Sequence, residues 1–504
     1  MQFSFYPKHE HGCEHVGHCP HVGGAAIGTL VQLANSSGST RLHLHQRLDA
    51  ERQRNSKLVD ENEKLKAQLA AVKLELKLER QNKFATNQQK SEAIVTDTTA
   101  ASSKKRGAPT GHPGWFRPTP TEYDWSVNVA APQRCPHCDG KVAVSSPRSY
   151  VDHLQEDIID NTYRVVRYRH AVANCVACSA AVQQAGEGEI LGSRIGPYLR
   201  SRAVWLRNAI GISYRKIPRI IEEMHGITFT PAALIGFESV LADKSTPVVE
   251  DIEKKLASSD GPVHADETYW TTDGARSYFW VHANSEFVHF QYDTTRAGRV
   301  SRDILGEDFV GTLVTDCYCG YTASAAGAKQ KCLVHVARRA REWQKLTDAG
   351  SADFQFFADI QSFVKRACRF HRQRGNGDLS VRQQTEEAAW LRGELARLEA
   401  ANVVHEKAVT LRNRLLRHQG EWLVFLDDPR VPPTNNSAEQ KLRPLVILRK
   451  ITFGHRSDPG ATRMAKLMTI GETARQRGHR VSEIYYDLYM RPPDRVLRKL
   501  YSDP

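Results

Sequence analysis

The sequence predicts an α/β fold for the C-terminal half of the chain, set behind a long helix and a cysteine-bearing β module. Three observations predict it. Residues 41–84 repeat every seven residues without Pro or Gly. Two C-x2-C pairs enclose strand-like runs between residues 135 and 178. From residue 261 onward, short β-branched and aromatic runs alternate with helical ones. Alternation of that kind is the pattern of a sheet covered by helices.

The 504 residues suffice for two to four domains, so burying a core poses no difficulty. Seventy Lys and Arg against 57 Asp and Glu leave a net charge of +13, which favours a polyanionic partner: nucleic acid or an acidic membrane surface. No apolar run approaches the roughly 20 residues that span a bilayer. The start has no basic lead followed by a long apolar core, so no signal peptide is expected. The expected compartment is the cytoplasm, where thiols stay reduced and paired cysteines suggest metal before disulfide.

Residues 1–40 form a His/Cys-rich leader in which Cys13, His15, Cys19 and His21 have ligand chemistry but the spacing of no standard finger. Residues 41–85 read as a coiled coil. With Leu44 at position a, the seam is Leu44, Leu48, Glu51, Asn55, Leu58, Asn62, Leu65, Leu69, Val72 and Leu76, and buried Asn at such seams fixes register and strand number. The expected consequence is a homo-oligomer. Residues 86–120 are a polar linker ending in the basic "KKRGAPTGHPGW", which could touch DNA phosphates.

Residues 121–190 carry the knuckles "CPHC" (Cys135, Cys138) and "CVAC" (Cys175, Cys178), with 36 residues between them. Each knuckle offers two thiolates from one turn, and two knuckles close a tetrahedral Zn2+ site that is structural, since no coordination position stays open. Residues 191–258 read as helices. "SYRKIPRIIEEMHG" and "ITFTPAALIGFESVLADK" are separated by Gly226, with Thr230 and Pro231 as N-cap and N1 of the second. The pair could be a DNA-reading helix-turn-helix or a plain helical spacer.

Over residues 259–347, "PVHADETYW" reads as a strand with Asp266 near its end. "RSYFWVHAN" and "EFVHFQYDT" follow as a hairpin, "RVSRDILGEDF" as a helix and "GTLVTD" as a strand ending at Asp316. "KQKCLVH" is a further strand running into the basic helix "VARRAREWQKL". The expected topology is strand-strand-strand-helix-strand-helix-strand, that of a ribonuclease-H-like fold, in which the first and fourth strands are neighbours. Asp266 and Asp316 would then meet at adjacent strand ends. Two such carboxylates repel unless cations lie between them, and hard oxygen donors suit Mg2+ or Mn2+. A two-ion site performs phosphoryl transfer. Glu267 competes with Asp266, because strand alternation turns only one of them inward; the other would face away or pair with a basic residue.

A third acidic ligand is expected from a later helix, and Glu439, Glu472 and Glu307 are the candidates. Glu439 follows Asn436 and Ser437, either of which could cap a short helix, and Asn436-x-x-Glu439 also reads as a capping box. Residues 348–430 read as an all-helical insertion, and residues 431–504 as the closing helix with a basic tail. Residues 441–480 hold ten Lys and Arg (Lys441, Arg443, Arg449, Lys450, Arg456, Arg463, Lys466, Arg475, Arg477 and Arg480) against Asp458 and Glu472, which favours phosphate contact. His335 and Arg338 open the basic helix and could line the same cleft.

"HADET" around Asp266, "TDCYCGY" around Asp316, "CLVHVARRA" around His335 and "NNSAEQKLRPLVILRK" around Glu439 resemble the insertion sequence 66 family of bacterial transposases. The order of coiled coil, basic linker, four-Cys module and core is similar too, over roughly residues 40–480. The resemblance implies a catalytic Asp-Asp-Glu triad on a ribonuclease-H-like core, here Asp266, Asp316 and Glu439. It also implies double-stranded DNA (element ends and target) as substrate and the involvement of accessory proteins of the same element. The departures are Cys317 and Cys319, where the family has a small residue and Gly, and "AEQKLRP" in place of "AERALRP". Neither removes a carboxylate, and both cysteines read as packing thiols. The expected reaction is water attack at the element end, freeing a 3′-hydroxyl that attacks target DNA. A catalytically silent DNA-binding regulator and a ribonuclease-H-like nuclease are the alternatives.

Overall fold

The computed structural model of the chain describes residues 48–61, 63–64, 68, 117–146 and 149–503. The chain divides into two compact units, residues 1–107 and 108–504. In the first, residues 48–61 are helical, as the heptad pattern expects, and the seam residue Leu58 is exposed. The His/Cys leader, the rest of the heptad run and the linker up to residue 116 lie outside the described residues.

The second unit opens on the cysteine module. β1 (Trp125–Val129), β4 (Thr162–Ala171) and β3 (Tyr150–Ile159) form one sheet in the order β1-β4-β3, and β2 (Val142–Val144) pairs with β5 (Ala173–Cys175). The hairpin of β3 and β4 closes through Asp160 and Asn161, both at positive φ (50° and 60°). Two consecutive left-handed residues are what a tight two-residue hairpin demands, and Asp and Asn tolerate them best.

Three helices follow: α1 (Pro197–Asn208), α2 (Lys216–His225) and α3 (Pro231–Ala257). Asp157, on β3, takes the place of an N-cap for α1, accepting the Leu199 amide at 2.7 Å and the Tyr198 amide at 3.1 Å. Gly226 ends α2 at φ 67°, and Thr230 caps α3 by accepting the Ala233 amide at 3.1 Å. The turn and cap are those expected, but α3 runs on to Ala257 through Pro247. Its Leu234, Leu241, Val248, Ile252 and Leu256 are fully buried in the main core. A helix so deeply packed along its length is a pillar of the fold.

The central sheet has the order β10-β9-β6-β7-β8, built from β6 (Pro262–Thr272), β7 (Ala275–Ala283), β8 (Val288–Asp293), β9 (Thr312–Thr315) and β10 (Ala328–Lys331). β7 runs antiparallel to both of its neighbours, β6 and β8, whereas β6–β9 and β9–β10 are parallel. α4 (Arg299–Leu305) makes the crossover from β8 to β9. Three expectations need correction. The helix anticipated between β9 and β10 is a single 3₁₀ turn, Cys319–Tyr321. β6 continues six residues past Asp266, because the aromatic run Tyr269–Trp270 pairs onward with β7. "KQKCLVH" is strand only to Lys331, and α5 (Leu333–Gln344) already includes His335.

Each face of the sheet has its own apolar cover. Val263, Ala265, Trp280 and Leu313 pack with α3 and α4. Phe279, Val281 and Ala283 pack with α10 (Asn436–Thr452) and α11 (Asp458–Gln476). α6 (Ala352–Gly375), α7 (Val381–Glu399), α8 (Glu406–Arg417) and α9 (Val424–Asp427) build a helical layer that shares a core with Val314, Leu333 and Val336. α12 (Val481–Met490) and α13 (Pro493–Tyr501) finish against the α3 side. Among the described residues no helix is long and apolar enough to cross a membrane.

Candidate active site and cysteine cluster

The parallel pairing of β6 with β9 sets the register of the candidate site. His264 lies opposite Val314, so Asp266 and Asp316, each two residues further on, follow at matching positions. Alternation then separates Asp266 from Glu267. Asp266 pairs with Val281, which belongs to the α10 side, and Glu267 with Trp280, which belongs to the α4 side. Glu267 is wholly engaged there, receiving the Arg296 guanidinium (Nε to Oε1, 2.7 Å) and the hydroxyl of buried Tyr321 (2.5 Å). It has the basic partner expected of whichever carboxylate turned away.

Glu439 sits in the first turn of α10. The expected capping box with Asn436 does not form: Asn435 is the N-cap residue, with no side-chain cap bond. The Asn435 side chain is fully buried and reaches the sheet instead. Its Nδ2 donates to the Ala265 carbonyl at 2.8 Å, and its Oδ1 accepts from His264 Nδ1 at 3.0 Å. Its own amide donates to Cys332 Sγ at 3.2 Å. Burial pulls the His264 imidazole down to about 4, the Asn435 bond only partly opposing, so the ring is a neutral donor. The residue before Asp266 and the helix bearing Glu439 are thus fastened by one buried amide.

The electrostatics record the convergence. Burial first, then the charges of Glu267, Asp316 and Glu439, push the Asp266 carboxyl up to about 8, against a bond from the Glu267 amide. Asp316 Oδ1 accepts the Tyr318 amide at 2.8 Å. Glu439 Oε1 is buried without a hydrogen-bond partner, and His335 Nε2 stands 3.8 Å from it. A carboxyl whose charged form is opposed by two neighbouring carboxylates, one of them Glu439 with its orphaned oxygen, is a hard oxygen donor of the kind a divalent cation takes. Carboxylate oxygens are the donor type that Mg2+ and Mn2+ prefer.

The other acidic candidates stand differently. Glu472 is taken up by Lys441 (3.5 Å) and Arg475, and Glu307 is exposed beyond α4. The basic stretch is divided as well. Lys441 and Arg475 serve Glu472, Arg477 pairs with Glu286 and donates to the Leu500 carbonyl, Arg480 pairs with Glu483, and Lys466 donates to Thr246. Arg449 lies over the Tyr269 ring at 3.5 Å and donates to Thr268 Oγ1 at 3.0 Å. Arg338, Arg443, Lys450 and Arg456 are exposed. Part of the charge concentration read from the sequence, at Lys441 and Arg477, is therefore bracing within the fold.

Sequence reasoning passed over Asn435, His264, Arg296 and Tyr321. The doubled Asn ahead of an acidic first turn was the available signal for Asn435, since one Asn suffices for a cap. Nothing local in sequence marks Arg296 or Tyr321.

In the β module, Cys135, Cys138, Cys175 and Cys178 bring their sulfurs within 4.8 Å of one another. Cys135 and Cys178 sulfurs are 3.7 Å apart, and those of Cys138 and Cys175 3.4 Å. Sulfurs about 2.3 Å from a tetrahedral Zn2+ stand about 3.8 Å apart, so the cluster fits zinc with little adjustment. Asp139 and Ser179, each just past a knuckle, share φ 58°, the left-handed turn that folds a knuckle back on itself. Cys317 and Cys319 are separate from this cluster; burial pushes the Cys317 thiol up to about 11, in keeping with a packing role, whereas Cys319 is exposed and does not pack as expected.

No curated protein matches the chain. Residues 192–463, more than half its length and a span that includes Asp266, Asp316 and Glu439, match the family described as Transposase IS66 family. The chain belongs to the IS66 family of transposases.

Proposed function

We propose that the chain cuts the ends of a bacterial insertion sequence and joins them to target DNA, with Asp266, Asp316 and Glu439 as the catalytic triad. The observation that carries this is the β6–β9 register, which brings Asp266 and Asp316 to matching positions of adjacent parallel strands, together with the charges of Asp316 and Glu439 that help to raise the Asp266 carboxyl. The strand order β10-β9-β6-β7-β8, with its parallel and antiparallel pairings, supports a ribonuclease-H-like core. In that core α6 to α9 form the all-helical insertion of residues 348–430.

The three carboxylates would hold two Mg2+ (or Mn2+) ions, which supply polarisation of the scissile phosphate and neutralisation of its charge. The chain's own residues fix geometry. Asn435 holds Glu439 to the β6 strand, Tyr318 orients Asp316, and Arg296 with Tyr321 hold Glu267 on the opposite face, out of the site. Hydrolysis at the element end frees a 3′-hydroxyl, which then attacks a target phosphodiester in line, with no covalent protein intermediate. Arg338, Arg443, Lys450 and Arg456 contact the DNA backbone, and His335 and Arg449 act closer to the site, beside Glu439 and on Tyr269.

The remaining assignments are part of the same reading. The four cysteines hold a structural Zn2+. Residues 41–85 pair copies of the chain through a coiled coil, and α2 with the start of α3 contributes to DNA binding. The protein works on the nucleoid in the cytoplasm, together with accessory proteins of its element. A strand-transfer assay tests it: a precut element end with Mg2+ and supercoiled target should give joined product with wild type and none with Asp266→Asn. Binding without joining by both proteins would favour a silent regulator.

A further inference from the structure

A second group of ligand-type side chains lies inside the cysteine module, apart from the four thiols. His153 on β3, His170 on β4 and Glu189 in the loop before α1 each bring one donor atom within 4.8 Å of the others. His153 pairs with Tyr168 across the hairpin, so His153 and His170, two residues from Tyr168, share one face of the sheet. Glu189 and His170 are buried and His153 is partly so.

The hydrogen-bond pattern leaves a place for a cation. His153 Nε2 is 2.9 Å from the Ser193 carbonyl, which can only accept, so that nitrogen carries a proton. In a neutral ring the opposite nitrogen is then a bare lone pair. It faces Glu189 Oε1 at 2.5 Å, and a carboxylate oxygen is also only an acceptor. Two lone pairs so close require a positive centre between them, either an added proton or a metal ion. His170 Nε2 approaches the same oxygen at 2.8 Å, so two imidazole nitrogens converge on one carboxylate oxygen. The other oxygen, Oε2, accepts the Gly186 amide at 2.7 Å, so Oε1 is the oxygen that both imidazoles share.

We propose that His153, His170 and Glu189 form a second metal site, for Zn2+ or a similar borderline divalent cation. The Ser193 carbonyl does for His153 what an outer partner does for ligating histidines: it fixes the tautomer that presents the other nitrogen. Zinc holds such nitrogen and oxygen donors about 3.3–3.5 Å apart, so loading parts the present contacts by less than about 1 Å. Water from the His153 side completes four-coordination. The donors are too enclosed for a nucleic-acid substrate, so the metal is a brace. It ties β3 and β4 to the 186–193 loop, which leads straight into the Asp157-capped α1. His170 lies five residues before Cys175, and two metals would therefore pin the same β4–β5 segment. Gly186 permits the approach, since a Cβ there would stand 2.8 Å from the Tyr168 ring and 2.9 Å from Val129.

The test uses the full chain with Cys13→Ser and Cys19→Ser, which silences the leader thiols, dialysed against Mg2+ to clear loosely held zinc. Elemental analysis should give two zinc per chain, falling to one in Glu189→Gln and in His153→Gln. X-ray absorption should lose its nitrogen and oxygen shell in those variants and keep its sulfur shell. One zinc per chain, ligated by sulfur alone and unchanged by either substitution, would overturn the proposal in favour of a protonated His153. Should the variants fail to fold, zinc-edge anomalous diffraction from the unmutated chain decides. A peak between His153 Nδ1 and Glu189 Oε1 supports the site, and a peak at the four cysteines alone refutes it.

Discussion

The side-chain amide of Asn435 donates to the Ala265 carbonyl at 2.8 Å, one residue before Asp266 and four before Glu439. Two carboxylates 173 residues apart in sequence thereby share a fixed origin, which neither strand register nor helix capping supplies. The bond lies in a fully buried setting where no water competes, and neutral His264 fixes which way the amide points.

Asn435→Ala leaves the Ala265 carbonyl and the His264 donor buried without partners, at about 1–3 kcal/mol for each unmet group. It also frees the start of α10 to drift, and a misplacement near 1 Å costs on the order of 100-fold in rate. Thermal melting should fall, and end cleavage should drop by about 10–100-fold through kcat with the DNA KM little changed. A melting shift without a kcat effect would make Asn435 merely structural.

Asp266 ties metal affinity to pH. Its carboxyl is raised to about 8. In the metal-free protein its contribution to stability is complete below the ordinary carboxylate range and is lost as pH rises through about 8. Mg2+ relieves the charged form, so the melting increment given by Mg2+ should be larger near about pH 8.5 than near about pH 6. Asp266→Asn should flatten that difference. Equal increments at both pH values in wild type would contradict the reading of the cluster.

Exposed and engaged basic residues should separate in DNA binding. Removing Arg443 or Lys450 should weaken binding and reduce the salt-dependence slope by about 0.9 each. Arg449→Ala should chiefly lower thermal stability, because its guanidinium is committed to the Tyr269 ring and Thr268. Identical slopes for all three variants and wild type would remove the α10 surface from the interface.

Gly196 marks a close approach that the fold depends on. A methyl there would sit 2.4 Å from Asp157 Oδ2, the group that caps α1. Gly196→Ala should cost about 1–3 kcal/mol. Gly236, inside α3, has nothing within 4 Å of an added Cβ, and Gly236→Ala should stabilise by up to about 1 kcal/mol. Urea denaturation of the two variants reads opposite signs, and a neutral Gly196→Ala would refute the cap.

The strands were legible because β-branched and aromatic runs are local signals, as is the four-Cys spacing, whereas the continuation of β6 past Asp266 is decided by its pairing with β7. Glu267 could be separated from Asp266 in principle, but only the pairing with β7 decides which faces α10. The capping rule pointed to Asn436 because it sees three residues, whereas Asn435 is committed to a strand 170 residues earlier. Charge counting failed for a related reason. Lys441 and Arg475 look like free cations in sequence, yet both are used to neutralise the nearly buried Glu472. The short link between β9 and β10 and the length of α3 were set by packing rather than by local propensity.

The most direct test of the central claim is Mg2+-dependent cleavage of a labelled duplex carrying the element's own end, comparing wild type with Glu439→Gln and Glu472→Gln. Wild type and Glu472→Gln should nick at the element end, and Glu439→Gln should bind the same duplex without cutting it. Undiminished cutting by Glu439→Gln would mean that the third carboxylate of the site is another residue.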